Sequence, residues 1–302
     1  MTDEYYNRAK QEGYRSRAAY KLKQLDREAD LIAEGDTVVD LGAAPGGWLQ
    51  VAAELAGETG TVLGVDRQRI DPIDGVETVR GDMTDEETRE GIVDRVREAD
   101  RREATERASG GRRDRQGAPP DGRAGGVTTG NDYTRAARTD RREGRHASRE
   151  ADVVVSDMAP NMTGEYELDH ARSVHLARTA FETALELLTP GGDIVAKVFE
   201  GPDVDDLRAD IDQEFEYVQS VHPEASRDAS SELYLVGKGR LTGPVAAGDR
   251  IEVDVVDVGD EGDGIAKVDG YTLFVPGTEA GTTVEVRVTD VKPRFGFAEP
   301  VD

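Results

Sequence analysis

Residues 36–57 read DTVVDLGAAPGGWLQVAAELAG. Val38, Val39 and Leu41 form a short apolar run of the kind a buried strand uses. Glycines and a proline follow, and from Trp48 to Leu55 the apolar residues return at helical spacing. Strand, glycine turn and helix in that order open a parallel α/β unit. Working outward, GTVLGVDRQ (60–68) reads as a second strand and VETVRGDMTD (76–85) as a third. On the other side, SRAAYKLKQLDREADLI (16–32) carries an apolar stripe at Ala19, Leu22, Leu25 and Leu31 and is predicted helical.

The same alternation resumes further along. ADVVVSDMAPN (151–161) is a strand with its loop. HARSVHLARTAFETALELL (170–188) is an amphipathic helix with Val174, Ala177, Phe181, Leu185 and Leu188 on one face, stopped by TPGG. DIVAKVF (193–199) is the next strand, and FEYVQSVHP with SELYLVGKG forms a closing pair. This predicts a Rossmann-like α/β domain over residues 1–240. After the linker LTGPVAAG come five short alternating strands within about 60 residues, which predict a small OB-like β-barrel over 241–302.

Residues 95–150 interrupt the first domain. They hold 15 arginines and 10 acids, a balance of +5 where the rest of the chain stands at −30. Large apolar residues are almost missing, so the stretch is expected to be a disordered surface insert. A loop under no constraint and an arginine arm that contacts RNA are both open readings.

Composition bounds the chemistry. Asp and Glu number 63 against 38 Lys and Arg, of which only seven are lysine, and the net charge is −25. Such a balance ordinarily argues against nucleic acid. Evenly spread acids and scarce lysine instead fit adaptation to strong salt, where the Debye length falls to about 3 Å, and the sign of the charge then says little about partners. With no cysteine, disulfides, iron–sulfur clusters, thiolate zinc sites and cysteine nucleophiles are excluded. No apolar run reaches the roughly 20 residues of a membrane span, and MTDEYYNRAK does not read as a signal peptide. The chain is expected to be soluble, cytoplasmic and monomeric.

The glycine loop 42–47 does not match the G-x-G-x-x-G pattern that seats a pyrophosphate. Asp40 before it repels phosphate and suits a cationic amino-acid ligand. S-adenosylmethionine carries an ammonium and a sulfonium and no phosphate. Asp66, at the end of the second strand, is placed to accept from ribose hydroxyls, and Asp82, after the third, from an adenine amino group. Asp157 ends the fourth strand and is followed by Met-Ala-Pro-Asn rather than the Pro-Pro-aromatic loop of base-amino methylators. Carbon-5 methylation of pyrimidines needs a cysteine, so oxygen methylation remains.

That chemistry needs a proton acceptor, and Lys197 stands inside an apolar strand one strand over from Asp157. A lone lysine there could snorkel to the surface. Lys21 in the N-terminal helix offers a second ammonium, and two partly desolvated ammoniums favour a neutral form for one of them. Glu232 offers a carboxylate for the other. His170 and His175 are spaced wrongly for one helical face, read as surface residues, and predict no metal.

SRAAYKL, DLGAAPGGW, VVSDMAPNMTG, VAKVFEG and SRDASSELYLV, in this order, resemble the FtsJ/RrmJ family of ribosomal RNA 2′-O-methyltransferases. The resemblance covers residues 1–95 and 150–240, with SRDASSELYLV the looser match and the arginine-rich insert outside the pattern. It implies a catalytic set of Lys21, Asp157, Lys197 and Glu232, with Lys197 as proton acceptor. It also implies a donor site of Gly46, Trp48, Asp66, Asp82 and Asp157 for S-adenosylmethionine. The substrate it implies is a uridine ribose in 23S ribosomal RNA of the large subunit. A tRNA anticodon loop, or a non-catalytic role in ribosome assembly, are the alternatives. The C-terminal stretch resembles a TRAM domain, an RNA-binding barrel whose phosphate contacts would rest on Lys267, Arg287, Lys292 and Arg294, or which could serve only solubility.

Overall fold

The computed structural model describes residues 4–96, 98, 151–226, 231–241, 244–259, 262–268 and 271–301. Helices α1 (Glu4–Glu12) and α2 (Ala19–Ala29) lead into β1 (Thr37–Leu41), α3 (Gly47–Ala56), β2 (Thr61–Asp66) and β3 (Val76–Arg80). A helix over 86–96, α4, follows. The insert expected over 95–150 lies almost wholly outside the described residues. The chain continues with β4 (Ala151–Ser156), α5 (Tyr166–Leu187), β5 (Leu188–Phe199), α6 (Val204–Glu214), β6 (Phe215–Val221) and β7 (Glu232–Arg240).

These strands form one seven-stranded sheet in the order β3-β2-β1-β4-β5-β7-β6. The first five run parallel, and β7 is antiparallel to both its neighbours. The direction of winding reverses between β1 and β4, so the loops after these two strands part and leave a crevice at their C-terminal ends.

Period-two alternation divides the sheet's side chains between two cores. Val39, Leu41, Val154, Ile194, Ala196 and Leu235 face α4, α5 and α6. Val38, Val153, Val155, Val195, Tyr234 and Val236 face α2 and α3, where Leu22, Leu25, Trp48 and Leu49 cover them. With both faces covered, the central strands are apolar throughout, which is why β1 and β4 read as continuous runs.

The helix ends at Leu187, stopped ahead of TPGG as expected, and β5 begins earlier than Asp193, taking in the TPGG run, because Leu188 already pairs with Ala151 of β4. His170 is not a surface residue. It lies in α5, 3 % exposed, with Nδ1 3.0 Å from the Phe199 carbonyl. Its ring fills the space over Gly201, where an added Cβ would meet it at 2.4–2.6 Å. His175 is exposed.

The C-terminal strands β8 (Arg250–Val258), β9 (Asp263–Val268), β10 (Tyr271–Pro276), β11 (Thr283–Val291) and β12 (Phe295–Pro300) close into a barrel in the order β10-β12-β11-β8-β9. Its core is made of small and medium residues, among them Val253, Ala266, Leu273, Val286, Val288 and Ala298. Among the described residues no helix is long and apolar enough to cross a membrane.

Candidate active site

Lys197 shares the alternation of Val195, so it points to the sheet face that α2 covers. The β5–β7 register sets Tyr234 directly opposite Lys197 and Glu232 opposite Phe199. Period two then returns Glu232 to the same face as Tyr234. Asp157 is the first residue beyond β4, at the mouth of the crevice. Lys21 arrives from the first turn of α2, between the buried Tyr20 and Leu22. Four separate elements thus converge on one spot.

The charges alternate in sign along a chain. Lys21 Nζ donates to Glu232 Oε2 at 2.7 Å and stands 4.0 Å from Asp157 Oδ1. Lys197 Nζ donates to Asp157 Oδ1 at 2.7 Å and to the Asp157 carbonyl at 2.6 Å. Both lysines are nearly enclosed, 6 % and 5 % exposed. Each ammonium is therefore held by a carboxylate: Glu232 holds Lys21 as expected, and Asp157 holds Lys197. Lys197 does not snorkel.

Burial pushes the Asp157 carboxyl up, but the charges of Lys197 and Lys21 and the bonds from Lys197 and Tyr234 outweigh it, so its pKa lies below the ordinary carboxylate value. Glu232 is lowered in the same way, burial opposing and Lys21 prevailing. Tyr234 is a member the sequence reading missed. Its hydroxyl donates to Asp157 Oδ1 at 2.7 Å, and its ring lies 5.9 Å from Trp48 and under Lys21 at 5.7 Å. Burial and the Asp157 charge raise its phenol well above the usual value, so it stays a donor.

Beside this cluster lies a cavity of about 520 Å³ between the loops after β1, β2, β3 and β4. Gly42, Asp66, Asp82, Asp157 and Met158 are among its walls. A Cβ on Gly42 would fall 2.4 Å from Met158, so the two loops approach at a distance only glycine allows. Asp66 uses Oδ2 and Oδ1 to hold the Ala44 and Gln68 amides, which fixes both loop and carboxylate. Asp82 is lowered first by the Thr84 amide and then by the Thr84 hydroxyl. Gly46 and Trp48 stand outside this cavity. Gly46, at φ 107°, turns the loop under Arg15 and Ile73, and Trp48 donates Nε1 to the Ala18 carbonyl, locking the loop to α2.

Asp40 favours a cationic ligand. It is wholly buried in β1, and neither carboxylate oxygen has a partner among the described residues. Burial, then the charges of Asp157 and Asp66, push its pKa well above the ordinary value. A buried carboxyl without a partner, beside Asp157 and Asp66, is favoured by nearby positive charge and disfavoured by phosphate. The acid set around the cavity fits S-adenosylmethionine. Among the described residues no group of three or more His, Asp or Glu could hold a metal ion.

The profile of the family described as FtsJ-like methyltransferase matches residues 14–240, a span that contains every residue of this site. The chain belongs to the FtsJ-like methyltransferase family. A TRAM domain profile matches residues 244–301, the closed barrel. A protein of Natronomonas pharaonis named ribosomal RNA large subunit methyltransferase E is 65 % identical, covering 99 % of this chain and 98 % of its own. One of the same name from Haloarcula marismortui is 56 % identical over 99 % and 98 %. A solved ribosomal RNA methyltransferase from Plasmodium falciparum, 22 % identical, superposes with a TM-score of 0.51 over 76 % of this chain and 99 % of that one, and shows the shared fold.

Within this FtsJ-like site, the residues read from the sequence fall into two groups. Lys21, Asp157, Lys197 and Glu232 meet in one cluster, and Asp66, Asp82 and Asp157 line the adjoining cavity. Gly46 and Trp48 support the loop from behind. Tyr234 gave one faint signal, its place two residues after Glu232 in a strand, but only the register sets it against Lys197.

Proposed function

We propose that this FtsJ-like methyltransferase methylates the ribose 2′-oxygen of a uridine in the large-subunit ribosomal RNA, with S-adenosylmethionine as donor. One observation carries the reading: two buried lysines and two carboxylates alternate at the mouth of a cavity walled by acids. The shared name of relatives at 56–65 % identity supports ribosomal RNA as the substrate. S-adenosylmethionine supplies a methyl group on a positively charged sulfur that leaves as a neutral thioether.

In this reading Asp66 would accept from the donor's ribose hydroxyls and Asp82 from its adenine amino group, while the buried Asp40 behind them favours the donor's positive charge. Lys197 enters the step as a neutral amine, having released a proton to solvent, and hydrogen-bonds the acceptor 2′-hydroxyl. It takes the hydroxyl proton as the oxygen forms its bond to the methyl carbon. Asp157, held ionised by Lys21 and Tyr234, stabilises the Lys197 ammonium so formed, which is the ion pair seen at rest. Glu232 holds Lys21 in place at 2.7 Å.

The test is transfer of labelled methyl to large-subunit RNA by Lys197→Ala, with donor binding followed by calorimetry. Turnover is expected to vanish while binding survives, and retained turnover overturns the assignment of the base. Mapping 2′-O-methyl groups in cells with and without the gene is expected to show one lost uridine methyl in the large-subunit RNA. Loss confined to a tRNA anticodon loop would replace the substrate and keep the chemistry.

A further inference from the structure

Three of the chain's seven lysines are buried, and all three lie where α2 meets the sheet. Lys21 and Lys197 belong to the cluster described above. The third, Lys238, is 9 % exposed and takes no part in it. On β7 the period of two puts Glu232, Tyr234, Val236 and Lys238 on one face. On β5 the same rule aligns Asp193, Val195 and Lys197. Ile194 stands opposite Gly237, so one step further along this antiparallel register Asp193 comes opposite Lys238. The strand pair therefore carries charge at both ends of one face. Lys197 and Glu232 mark the first end, Asp193 and Lys238 the second, and Val195, Tyr234 and Val236 lie between them.

The second pair grips the far end of α2. Lys238 Nζ donates to the Ala29 and Asp30 carbonyls at 2.8 and 3.0 Å and to Asp193 Oδ2 at 2.6 Å. Asp193, 2 % exposed, accepts the Gly239 amide on its other oxygen at 2.9 Å. Asp30 is the one non-glycine residue with positive φ among the described residues, at 49°, and its amide closes the helix on the Asp26 carbonyl. At its other end α2 presents Lys21 to Glu232 at 2.7 Å. One strand, β7, thus holds the helix twice, near its start and at its end. From Lys21 to Asp30 is roughly 13 Å of helix axis. Lysines near helix ends commonly serve the last carbonyls from the surface. Lys238 does so from a buried position on another element, itself fixed by a buried carboxylate.

A buried ion pair adds little stability over well-packed apolar residues, so stability alone is a poor reason to keep one. Placement is a better one. Leu22, Leu25 and Ala29 press α2 against the sheet, but apolar burial has no direction and fixes the helix along its axis far less sharply than hydrogen bonds do. We propose that Lys238 and Asp193 are positioning residues for methyl transfer, setting where α2 lies along its axis and so how far Lys21 stands from Asp157. This rests on the proposed function for the role of Lys21 and adds what sets its place. Lys21 Nζ is 4.0 Å from Asp157 Oδ1, a separation at which a shift of about 1 Å changes their attraction by a fifth or more. Lys238 and Asp193 both lie outside the donor cavity, so donor binding does not depend on them.

The test compares full-chain variants by methyl-transfer kinetics, donor calorimetry, urea unfolding and the emission of Trp48. That residue is the only tryptophan and is bonded to the Ala18 carbonyl, where α2 begins. Lys238→Met leaves the buried Asp193 carboxylate without its ammonium and should lose both stability and rate. Asp193→Asn/Lys238→Met removes that charge and keeps an acceptor for the Gly239 amide, so most of the stability should return. Its kcat should stay about ten- to a hundredfold low, the range for misplacement by about 1 Å. Donor affinity and the KM for RNA should match the parent, and the Trp48 emission should shift. Lys238→Cys supplies the chain's one thiol. Aminoethylation in urea followed by refolding restores an ammonium at the reach of lysine and should recover kcat, whereas carboxamidomethylation should not. A rate that returns with stability in the double variant, a matching loss of donor affinity, an unmoved Trp48 emission, or recovery by both alkylations each overturns the clamp. The emission is read without any reaction, so the two proposals fail separately. A parent that transfers no methyl to large-subunit RNA, with the emission shift intact, sinks the function and spares the placement of α2. Parent kcat in the double variant does the reverse.

Discussion

The sheet face beneath α2 and the outer wall of the barrel break the same rule in opposite directions. Beneath α2, four charged side chains are packed among Leu22, Val195 and Val236, where apolar residues belong. On the barrel, Phe295 and Phe297 stand in water while Gly296 and Ala298 occupy the core side. A local conflict of this kind costs stability, and a sequence that retains it does so where chemistry or binding needs it. The two conflicts differ in what they can tolerate. Buried charges depend on their partners, so each removal propagates; exposed rings have no dependants.

The largest expected effect comes from the buried side. Lys197→Met should lower methyl transfer by about 10²- to 10⁴-fold, the range for removing a positioned acid or base, measured in single-turnover assays with saturating donor. Lys21→Met strikes stability instead. It leaves Glu232 without its 2.7 Å partner in a site that is largely closed to water, and breaking such a pair costs about 3–5 kcal/mol. The double variant Lys21→Met/Glu232→Leu should regain most of that in urea unfolding. If the single variant is as stable as the parent, Glu232 does not depend on Lys21 for its burial.

Tyr234→Phe is a smaller perturbation. It deletes one donor to the charged form of Asp157 and should lower kcat about tenfold. The sign of its pH effect follows from the same bond. The folded-state pKa of Asp157 is depressed, so its contribution is present above the ordinary carboxylate value of about 3.9 and is lost as pH falls through the lower folded value. Removing a donor raises that folded value, and the acid limb of the kcat profile should move to higher pH. An unmoved limb would show that Tyr234 packs against Trp48 without tuning Asp157.

Asp40→Asn tests the cavity. Its folded pKa is raised, so the folded protein holds a proton the unfolded chain gives up, and the residue destabilises the ligand-free protein progressively as pH rises above about 3.9. The amide removes that charge. The ligand-free variant should gain a few degrees in Tm at neutral pH and bind S-adenosylmethionine more weakly, by differential scanning and isothermal calorimetry.

Much of this was legible in the sequence, for reasons that are local. Val38, Val39 and Leu41 before a glycine turn announce a buried parallel strand, and Asp66 and Asp82 follow from ending strands at the ligand-binding edge. What needed the structure is what depends on register and on distant packing. Tyr234 meets Lys197 only because β7 pairs antiparallel with β5 at that offset. Lys197 is held by Asp157, just beyond β4, a pairing that spacing alone does not reveal. His170 reads as one polar residue among several in a helix, and its burial follows from Gly201, 31 positions away, leaving room for the ring. The phenylalanine face stayed hidden because YTLFVPG and FGFAEPV are equally good strands whichever side the rings take.

The smallest effect is the one that best separates the two regions. Phe295→Leu on its own alters an exposed ring that contacts Phe274 and Phe297 but no part of the barrel core. Surface changes of this sort usually remain within about 0.5 kcal/mol, so the urea midpoint should barely move, in contrast to the several kcal/mol expected for Lys21→Met. If Phe295→Leu unfolds the barrel, the rings brace the β10–β12 closure and the outward placement has a structural cause. A flat stability response with a lost grip on single-stranded RNA means that the ring is there for a ligand.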